Sequence, residues 1–411
     1  MFSFDIRHWM LNIRHSKRRL SDVDPTGAPR IGRTSPGPSP EAEGLGYNSN
    51  MEEIIHLTQN LIRFKSTQSN PQGIQQCVEF IENYLRKYRI EYRHSVYGNS
   101  PSILVLPDLQ TGFAPILLMA HVDVVDAPAE LFSPLVKGTK LYGRGSLDDK
   151  YAVALSLVLL KKQIQRLEQQ NKGQIDLPFG ILITSDEETG GFKGAKQVLQ
   201  KIKTNFCIVL DGGNVKKIIV KEKGSVRIKL VCKLKADRDT RLWTEKNAIE
   251  KLTGDYNKLN THFVKSAPEH RHRSIHLMDI HSENPFQQTP EHAAALLDIR
   301  YTENDNMEKL FDWMQSELQS EVIVESIAPL FPDGESPYLN LLLEIAKTAG
   351  IGFQDGSNDA RFLSKNKING IIFGADGNQS QHSLTEHVDI VSIYELYGIL
   401  DTFIQRSEKS I

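Results

Sequence analysis

Five groups of histidine and acidic residues along the 411-residue chain have the chemistry of a metal site. In chain order they are His121-Val-Asp123, Gly143-Arg-Gly-Ser-Leu-Asp148-Asp149-Lys150, Ser185-Asp186-Glu187-Glu188-Thr189-Gly190-Gly191, Asp211-Gly212-Gly213 and His382-Ser-Leu-Thr-Glu386-His387. A neutral imidazole can ligate a metal while a nearby carboxylate fixes its tautomer through the second ring nitrogen. In a pair of adjacent glutamates, one carboxylate can bind the ion while the other takes a proton from metal-bound water.

Each group alone has a simpler explanation. A histidine near an aspartate is often structural, and acidic residues ahead of a helix cap free N–H groups and complement the helix dipole. All five groups, however, fall at predicted strand ends or in adjacent loops. Ligands of open α/β sheets gather outside the carboxyl ends of the strands, so the joint pattern favours one metal-binding rim.

The elements that must position these groups alternate between helix and strand. Apolar spacing from residue 51 onward predicts helices over 51–65, 74–89, 150–168 and 192–201, and strands over 101–106, 114–120, 178–184 and 205–210. Segments such as 116–120 and 206–210 are apolar on both faces, which is typical of a parallel sheet covered by helices on both sides. The sequence therefore predicts an α/β fold.

The order of elements changes between about residues 222 and 328. Strands over 225–234, 274–281, 292–301 and 321–327 and helices over 246–259 and 306–318 follow the βαββαβ order of a ferredoxin-like domain. A helix over 336–349, a strand over 369–373 and a helix over 392–406 then return to the α/β style. We therefore predict an extension over 1–50, a catalytic domain over 51–222 and 330–411, and an inserted lid domain over 223–329.

The five motifs resemble those of the di-zinc exopeptidase and deacylase family. That family includes aminoacylase, acetylornithine deacetylase, succinyl-diaminopimelate desuccinylase, carnosinase, peptidase T and glutamate carboxypeptidases. The resemblance covers the chain from about Met51 to its C-terminus. It implies a zinc-exopeptidase-like catalytic domain, two zinc ions that cobalt or manganese could replace, and hydrolysis of an amide bond in a small peptide or N-acyl amino acid.

The resemblance also implies a role for each matching residue. The implied ligands are His121 and Asp211 for one zinc, Glu188 and His382 for the other, and Asp148 as the bridge. Many members carry a Glu where Gly212 stands, so Asp211 must serve in its place. Asp123 would orient His121, and Glu187 would be the general base that carries a proton from water to the leaving nitrogen. The family usually has a cis peptide after its bridging Asp, here Asp148–Asp149.

Further matches supply candidate substrate-binding residues. The segment 356–361, with Ser357 and Arg361, resembles the family's Gly-Ser-Asp-Ala-Arg loop, and Asp298-Ile-Arg300 resembles the Asp-x-Arg of its lid. A guanidinium presents paired donors to a carboxylate, although Arg300 could equally be a salt-bridged strand residue. Asn284 matches the lid asparagine that helps to hold the scissile carbonyl.

Two positions depart from the family pattern. Arg238 stands where the lid usually has a histidine, and a permanent cation can stabilise an oxyanion but cannot shuttle protons. His276 or His281 could substitute for it. Tyr151 replaces a glycine and is expected to crowd the first helical turn. Two alternatives to a peptide or N-acyl amino acid hydrolase stay open. These departures motivate the first, a catalytically weak family member that binds a small molecule. The second is a biosynthetic deacetylase or desuccinylase of the same family.

Composition limits the partners. The 49 Lys+Arg and 51 Asp+Glu residues leave a net charge of −2, so no basic field favours nucleic acid. Three cysteines are too few for a disulfide framework or a thiolate zinc site, which indicates a reducing compartment.

The longest apolar runs fall short of the ~18–20 residues that cross a bilayer. We expect a small carboxylate-bearing substrate, no nucleic acid, no membrane and a homodimer formed through the lid.

The first 50 residues differ from the rest. Residues 24–50 are rich in proline and glycine and are predicted to be disordered. Residues 1–20 mix apolar and basic side chains, which allows an organelle transit peptide; otherwise we expect a cytoplasmic protein. Met51 is an alternative start, because a helical pattern begins there.

Overall fold

The computed structural model describes residues 45–234, 247–263, 272–282, 289–331, 336–356 and 358–410. The first helix, α1, spans Leu45–Ile62, so residues 45–50 are helical and their predicted disorder is wrong. Met51 and Ile54 are buried in the core. Once packing fixes the helical turn that contains Met51 and Ile54, adding residues at its N-terminal end costs little further free energy, because helix propagation is easier than nucleation. The possible transit peptide over 1–20 lies outside the described residues.

The elements ahead of the inserted segment are as follows. The helices after α1 are α2 (Pro71–Lys87), α3 (Lys150–Gln169) and α4 (Ala195–Leu199). The strands are β1 (Arg93–Tyr97), β2 (Ser100–Val105), β3 (Phe113–His121), β4 (Leu135–Lys137), β5 (Lys140–Tyr142), β6 (Phe179–Thr184), β7 (Lys203–Val209) and β8 (Lys217–Glu222).

The remaining elements follow in two sets. The first set is β9 (Gly224–Lys233), α5 (Ala248–Asn260), β10 (Ser274–His281), β11 (His292–Tyr301), α6 (Met307–Glu317) and β12 (Glu321–Ala328). The second set is α7 (Pro337–Ile345), β13 (Gly350–Gln354), α8 (Arg361–Lys365), β14 (Asn369–Ile372), β15 (His387–Asp389) and α9 (Ile390–Ser410).

An eight-stranded sheet in the order β1-β2-β6-β3-β7-β14-β8-β13 forms the centre of the protein. Its inner strands β6, β3, β7 and β14 run parallel to their neighbours in that series. Along β3, Ile116 and Leu118 enter one hydrophobic core, whereas Leu117 and Met119 enter a second core on the opposite face. This alternation explains why the strand is apolar on both faces, and the predicted α/β fold is confirmed.

A separate four-stranded sheet has the order β10-β11-β9-β12, with antiparallel neighbours throughout. It follows the βαββαβ order expected from the sequence, and its side chains form a third hydrophobic core around Ile228, Leu297 and Phe311. The chain enters this sheet after β8 and leaves it after β12, returning to the eight-stranded sheet at β13.

Several predictions of secondary structure need correction. Strands β1, β4, β5, β8, β13 and β15 were not expected, and β15, β5 and β4 form a small third sheet. Helix α4 occupies only Ala195–Leu199 of the predicted 192–201, because the Glu187–Gly194 segment folds into a loop. Within the described residues, no helix combines the length and hydropathy needed to span a bilayer.

Candidate metal centre

The ends of three adjacent parallel strands place the first acidic and imidazole side chains. His121 is the last residue of β3, Asp186 follows β6 after one residue, and Asp211 follows β7 after one residue. Strand β3 pairs in parallel with both β6 and β7, so the carboxyl ends of all three meet at one edge. The expected rim at the strand ends is therefore present.

Asp148 lies between the two imidazoles. Its Oδ1 is 2.9 Å from Nε2 of His121, and its Oδ2 is 3.0 Å from Nε2 of His382. The Asp148–Asp149 peptide is cis, as the family resemblance implied. Asp149 stands at the N-cap of α3 without making a capping hydrogen bond, so the simpler capping explanation of this acidic pair fails. A carboxylate with one oxygen toward each imidazole has the geometry of a bridging ligand.

Two groups of potential ligand atoms share Asp148. The first group is His121, Asp148 and Asp211, and the second is Asp148, Glu188 and His382; within each group the ligand atoms lie within 4.8 Å of one another. In the first, Oδ2 of Asp211 is 3.9 Å from Nε2 of His121. In the second, Oε2 of Glu188 is 3.1 Å from Nε2 of His382. The structure thus brings together all five residues named as ligands.

The electrostatics of these groups fit bound cations. Burial, and then the charge of Asp148, raises the pKa of Asp211 well above its usual range, and burial also raises the pKa of Glu188. Burial alone would raise the pKa of Asp148, but hydrogen bonds from both imidazoles hold it below its usual range. Hydrogen bonds to Asp148 and Glu188 raise the pKa of His382 to about 10. Divalent ions would offset this crowding of carboxylates, and N/O ligands suit zinc.

Asp123 anchors more of the site than the single histidine predicted for it. Its Oδ1 lies 3.4 Å from Nδ1 of His121, whose ring also contacts the Asp123 carbonyl oxygen at 2.9 Å. The same carboxylate accepts hydrogen bonds from the backbone N–H groups of Glu187 at 3.2 Å and Glu188 at 3.1 Å. Gln68 donates to it from a third direction. One buried carboxylate therefore orients residues on both β3 and the loop after β6.

Glu187 lines the cavity beside Asp148 and Asp211. Burial, and then the charge of Asp211, raises the pKa of its carboxyl well above the usual range. The loop that holds Glu187 packs tightly against Asp359. Gly191 in this loop has a φ of +64°, and a Cβ there would lie 1.8 Å from Oδ1 of Asp359. This close approach explains the glycine at the end of the Asp186–Gly191 motif.

A cavity of about 490 Å³ opens from the metal-binding groups. One part of its lining comes from the ligand residues Asp148, Asp211 and His382. Another part runs past β8 and β13, where Lys217 and Gln354 line it. The cavity therefore offers both a metal-binding end and a polar arm that could hold the rest of a small substrate.

The candidate substrate-binding residues have different outcomes. Asn284, Ser357 and Arg238 lie outside the described residues. Arg361 is buried, with Nη2 3.9 Å from the Glu187 carboxylate, and it is not among the residues that line the cavity. Arg300 donates from Nε and Nη2 to Oδ2 of Asp298, which is the salt-bridged arrangement that the sequence left open.

The histidines proposed as substitutes for a lid histidine both lie on β10. This strand is at the edge of the four-stranded sheet. Nδ1 of His281 contacts Asp279 at 3.0 Å, and His276 is exposed. Neither lines the cavity.

Sequence reasoning missed two supporting contacts. Arg144 and Glu386 form a buried ion pair, and Glu386 also accepts a hydrogen bond from the N–H of Asp148; both residues stand inside the motifs singled out above. Tyr151 was expected to crowd the first turn of α3, but that helix is regular and the ring is buried in the core. Its hydroxyl instead bonds to the backbone of two strand ends. The sequence did contain a signal for both contacts: Arg144 is a charged residue between two glycines, and Tyr151 is a bulky residue where a glycine was expected.

Comparisons with known proteins agree with this geometry. Residues 117–406 match the profile of Peptidase family M20/M25/M40. A succinyl-diaminopimelate desuccinylase from Blochmanniella floridana is 26% identical over 386 residues, covering 85% of this chain and 97% of that protein. An M20 family metallo-carboxypeptidase from Sulfolobus solfataricus has a TM-score of 0.66 at 15% identity, over 86% of this chain and 98% of that one. A dinuclear metal-binding M20 peptidase from Bacillus subtilis has a TM-score of 0.58 at 14% identity, over 89% and 100%.

Proposed function

Because the chain belongs to peptidase family M20/M25/M40, a family of metal-dependent amide hydrolases, we propose that it is a di-zinc hydrolase of small peptides or N-acyl amino acids. The observation that carries this proposal is the position of Asp148. Its two carboxylate oxygens face His121 and His382, so two ligand groups share one residue. Shared carboxylates of this kind suit sites in which two ions act on one scissile bond.

Each zinc would have its own ligands in addition to Asp148. His121 and Asp211 would hold one ion, and Glu188 and His382 the other; cobalt or manganese could replace zinc in either place. When bound, the pair of ions supplies Lewis acidity toward a carbonyl oxygen and lowers the pKa of water. The thiols take no part, because Cys77, Cys207 and Cys232 are all buried and none belongs to either group.

Glu187 is the residue that would move the proton. Glu187 lines the cavity together with Asp148 and Asp211, and it belongs to neither ligand group. It would accept a proton from the attacking water and deliver it to the leaving amide nitrogen. Asp123 accepts a hydrogen bond from the backbone N–H of Glu187, and Nη2 of Arg361 lies 3.9 Å from its carboxylate, so both neighbours would help to orient it.

The polar arm of the cavity supports a substrate with a free carboxylate. Lys217, Asn214 and Gln354 are among the residues that line it. An ammonium pairs with carboxylate oxygens, and amides satisfy both donors and acceptors of a peptide-like ligand. A biosynthetic desuccinylase is the second candidate, favoured by the 26% identity to the desuccinylase relative.

We further propose that residues 223–329 form a lid that also mediates a homodimer. Strand β10 is an edge strand, and Leu277, Met278 and Ile280 on it are 39%, 59% and 45% exposed. An exposed edge with apolar side chains tends to pair with another strand. A second copy of β10 would cover both the unpaired backbone groups and these side chains.

The test is a screen of the purified protein after metal removal and reloading with zinc. The substrates are dipeptides and N-acetyl, N-succinyl and long-chain N-acyl amino acids, and the readout is release of a free amine. We expect turnover of one class that depends on zinc. If two zinc ions bind per chain but no class is hydrolysed, the hydrolase proposal fails and the alternative of a catalytically weak small-molecule-binding member gains support.

A further inference from the structure

Tyr151 stands between the strand ends that carry the metal-binding groups. It is the second residue of α3, and its side chain is only 1% exposed. It lines the cavity together with Asp148, Asp211 and Ala375. Neither the proposed ligands nor the proposed proton transfer uses this residue, and it replaces the glycine that the family resemblance led us to expect.

The hydroxyl of Tyr151 occupies the point where two parallel strands separate. The last ladder hydrogen bond between β7 and β14 runs from the N–H of Phe373 to the carbonyl of Val209, at 2.9 Å. Just beyond it, the Tyr151 hydroxyl donates to the carbonyl of Leu210 at 2.7 Å and accepts from the N–H of Ala375 at 2.8 Å. A side chain from α3 thus bridges the two backbones where the sheet no longer does.

Both bridged residues lead directly to proposed ligands. Leu210 precedes Asp211, and Ala375 begins the segment that runs to His382. The far side of that segment is held by the N–H of Asp389, which donates to the carbonyl of Asp376 at 2.8 Å. The Tyr151 hydroxyl therefore links the two segments directly, whereas Asn358 Nδ2 holds the Asp211 carbonyl and Arg144 Nη2 the His382 carbonyl separately.

Gly374 makes room for this link. A Cβ at that position would lie 2.6 Å from the Tyr151 hydroxyl and 2.5 Å from the Leu210 carbonyl oxygen. Such contacts are shorter than the packing of a protein interior tolerates. The glycine and the tyrosine therefore fit one another, and a side chain at 374 would push the hydroxyl away from its two partners.

We propose that Tyr151 is a positioning residue that sets the separation of Asp211 and His382 and so tunes the binding of both metal ions. This inference rests on the proposed two-metal function. Residues that orient metal ligands from outside the coordination sphere typically change metal affinity or activity by 10–100-fold when they are replaced. Tyr151 differs from an ordinary outer partner because it acts on the backbone of two ligand-bearing segments at once.

The test compares cobalt binding to the metal-free wild type, Tyr151→Phe and Tyr301→Phe. Phenylalanine keeps the ring of Tyr151 but removes both hydrogen bonds. Tyr301 is a matched control, because its buried hydroxyl also donates to a carbonyl, that of Ala328 at 3.1 Å, in the four-stranded sheet. We expect Tyr151→Phe to bind at least one of two cobalt ions roughly 10-fold or more weakly, with an altered visible absorption spectrum. We expect Tyr301→Phe to match the wild type in both readouts.

A second variant perturbs the same place from the opposite side. The Cβ of Gly374→Ala would lie 2.6 Å from the Tyr151 hydroxyl, but also 2.5 Å and 2.7 Å from the carbonyl oxygens of Leu210 and Gly212 on either side of Asp211. We therefore expect weaker cobalt binding and a fall in kcat with KM little changed. Wild-type cobalt affinity and spectrum in Tyr151→Phe would overturn the positioning role alone, even if Gly374→Ala binds cobalt more weakly, because a Cβ at 374 also crowds the backbone on either side of Asp211. A wild type that binds fewer than two cobalt ions would instead overturn the two-metal function, and this inference with it.

Discussion

The guanidinium of Arg144 is paired with the carboxylate of Glu386 in the interior, and the pair joins the segments of Asp148 and His382. Arg144 is 2% exposed and Glu386 is fully buried. Oε1 of Glu386 accepts hydrogen bonds from the backbone N–H groups of Gly145 at 2.9 Å and Asp148 at 3.3 Å. Nη2 of Arg144 donates to the carbonyl of His382 at 3.2 Å. One ion pair therefore fixes the backbone of the shared ligand and of a ligand in the second group.

Replacing Glu386 by alanine should destabilise the protein strongly. Arg144 would remain as an uncompensated buried charge, and loss of one partner of such a pair costs about 3–5 kcal/mol of the free energy of unfolding. Urea denaturation of the metal-free wild type and variant measures this loss in the free energy of unfolding. Glu317→Ala is the control, because its pair with Lys258 is about half exposed, and such pairs contribute about 0–1 kcal/mol. Equal losses in the two variants would contradict a structural role for the buried pair.

Asp123→Asn should impair metal binding and turnover together. The carboxylate accepts hydrogen bonds from the N–H groups of Glu187 and Glu188, and an amide would turn a donor toward one of them. We expect roughly a 10–100-fold loss in zinc affinity and in kcat/KM. Asp126→Asn, on the exposed side of the same segment, serves as the control and should leave both near the wild-type values. Unchanged zinc affinity in Asp123→Asn would argue against this anchoring role.

Glu187→Gln and Glu188→Gln should separate proton transfer from metal binding. Glu187 lies outside both ligand groups, so its amide variant should retain zinc and lose roughly 10²–10⁴-fold in kcat. Glu188 lies 3.1 Å from His382 within the second group, so its variant should lose one zinc. Atomic emission gives the zinc content and a substrate assay gives kcat. Near wild-type turnover in Glu187→Gln would remove this residue from the role of base.

Chelation should abolish hydrolysis reversibly and lower thermal stability. Ions that bind only the folded state stabilise it by RT ln(1 + [L]/Kd), which is about 2.7 kcal/mol at 100 times Kd. We expect Tm to fall after chelation and to recover with zinc or cobalt, and amide hydrolysis to follow the same course. Activity that persists after thorough metal removal would rule out the metal-dependent mechanism.

Met278→Asp should weaken the proposed dimer. Met278 is 59% exposed on edge strand β10, where a second copy would bring two new charges close together. Light scattering after gel filtration should show a shift toward monomer. Leu384→Asp, at an exposed residue outside the four-stranded sheet, should leave the mass unchanged. A wild type that is monomeric at all concentrations would overturn the dimer proposal itself.

Three elements differ from the prediction for different reasons. Strand β13, Gly350–Gln354, contains two glycines and exposed apolar side chains, and its pairing with β8 specifies it rather than its propensity. Strand β8 was missed although Ile218, Ile219 and Val220 form a short apolar run, a usable signal. Helix α4 is shorter than predicted because the loop after β6 takes residues up to Gly194 to hold Asp186.

The sequence by itself identified five groups of side chains that could bind metal and predicted that an α/β sheet would bring them to one rim, while the family resemblance implied which five residues are ligands. Those inferences depend on residue type, on local apolar periodicity and on the rule that parallel strands share a carboxyl edge, all of which are readable along the chain. The resemblance implied Asp148 as a bridge, but only the tertiary structure shows which of its oxygens faces His121 and which faces His382, and that Tyr151 and Arg144 hold the surrounding backbone. These contacts join residues far apart in the chain. They are fixed by packing and by the pairing of buried polar groups, which no local pattern encodes.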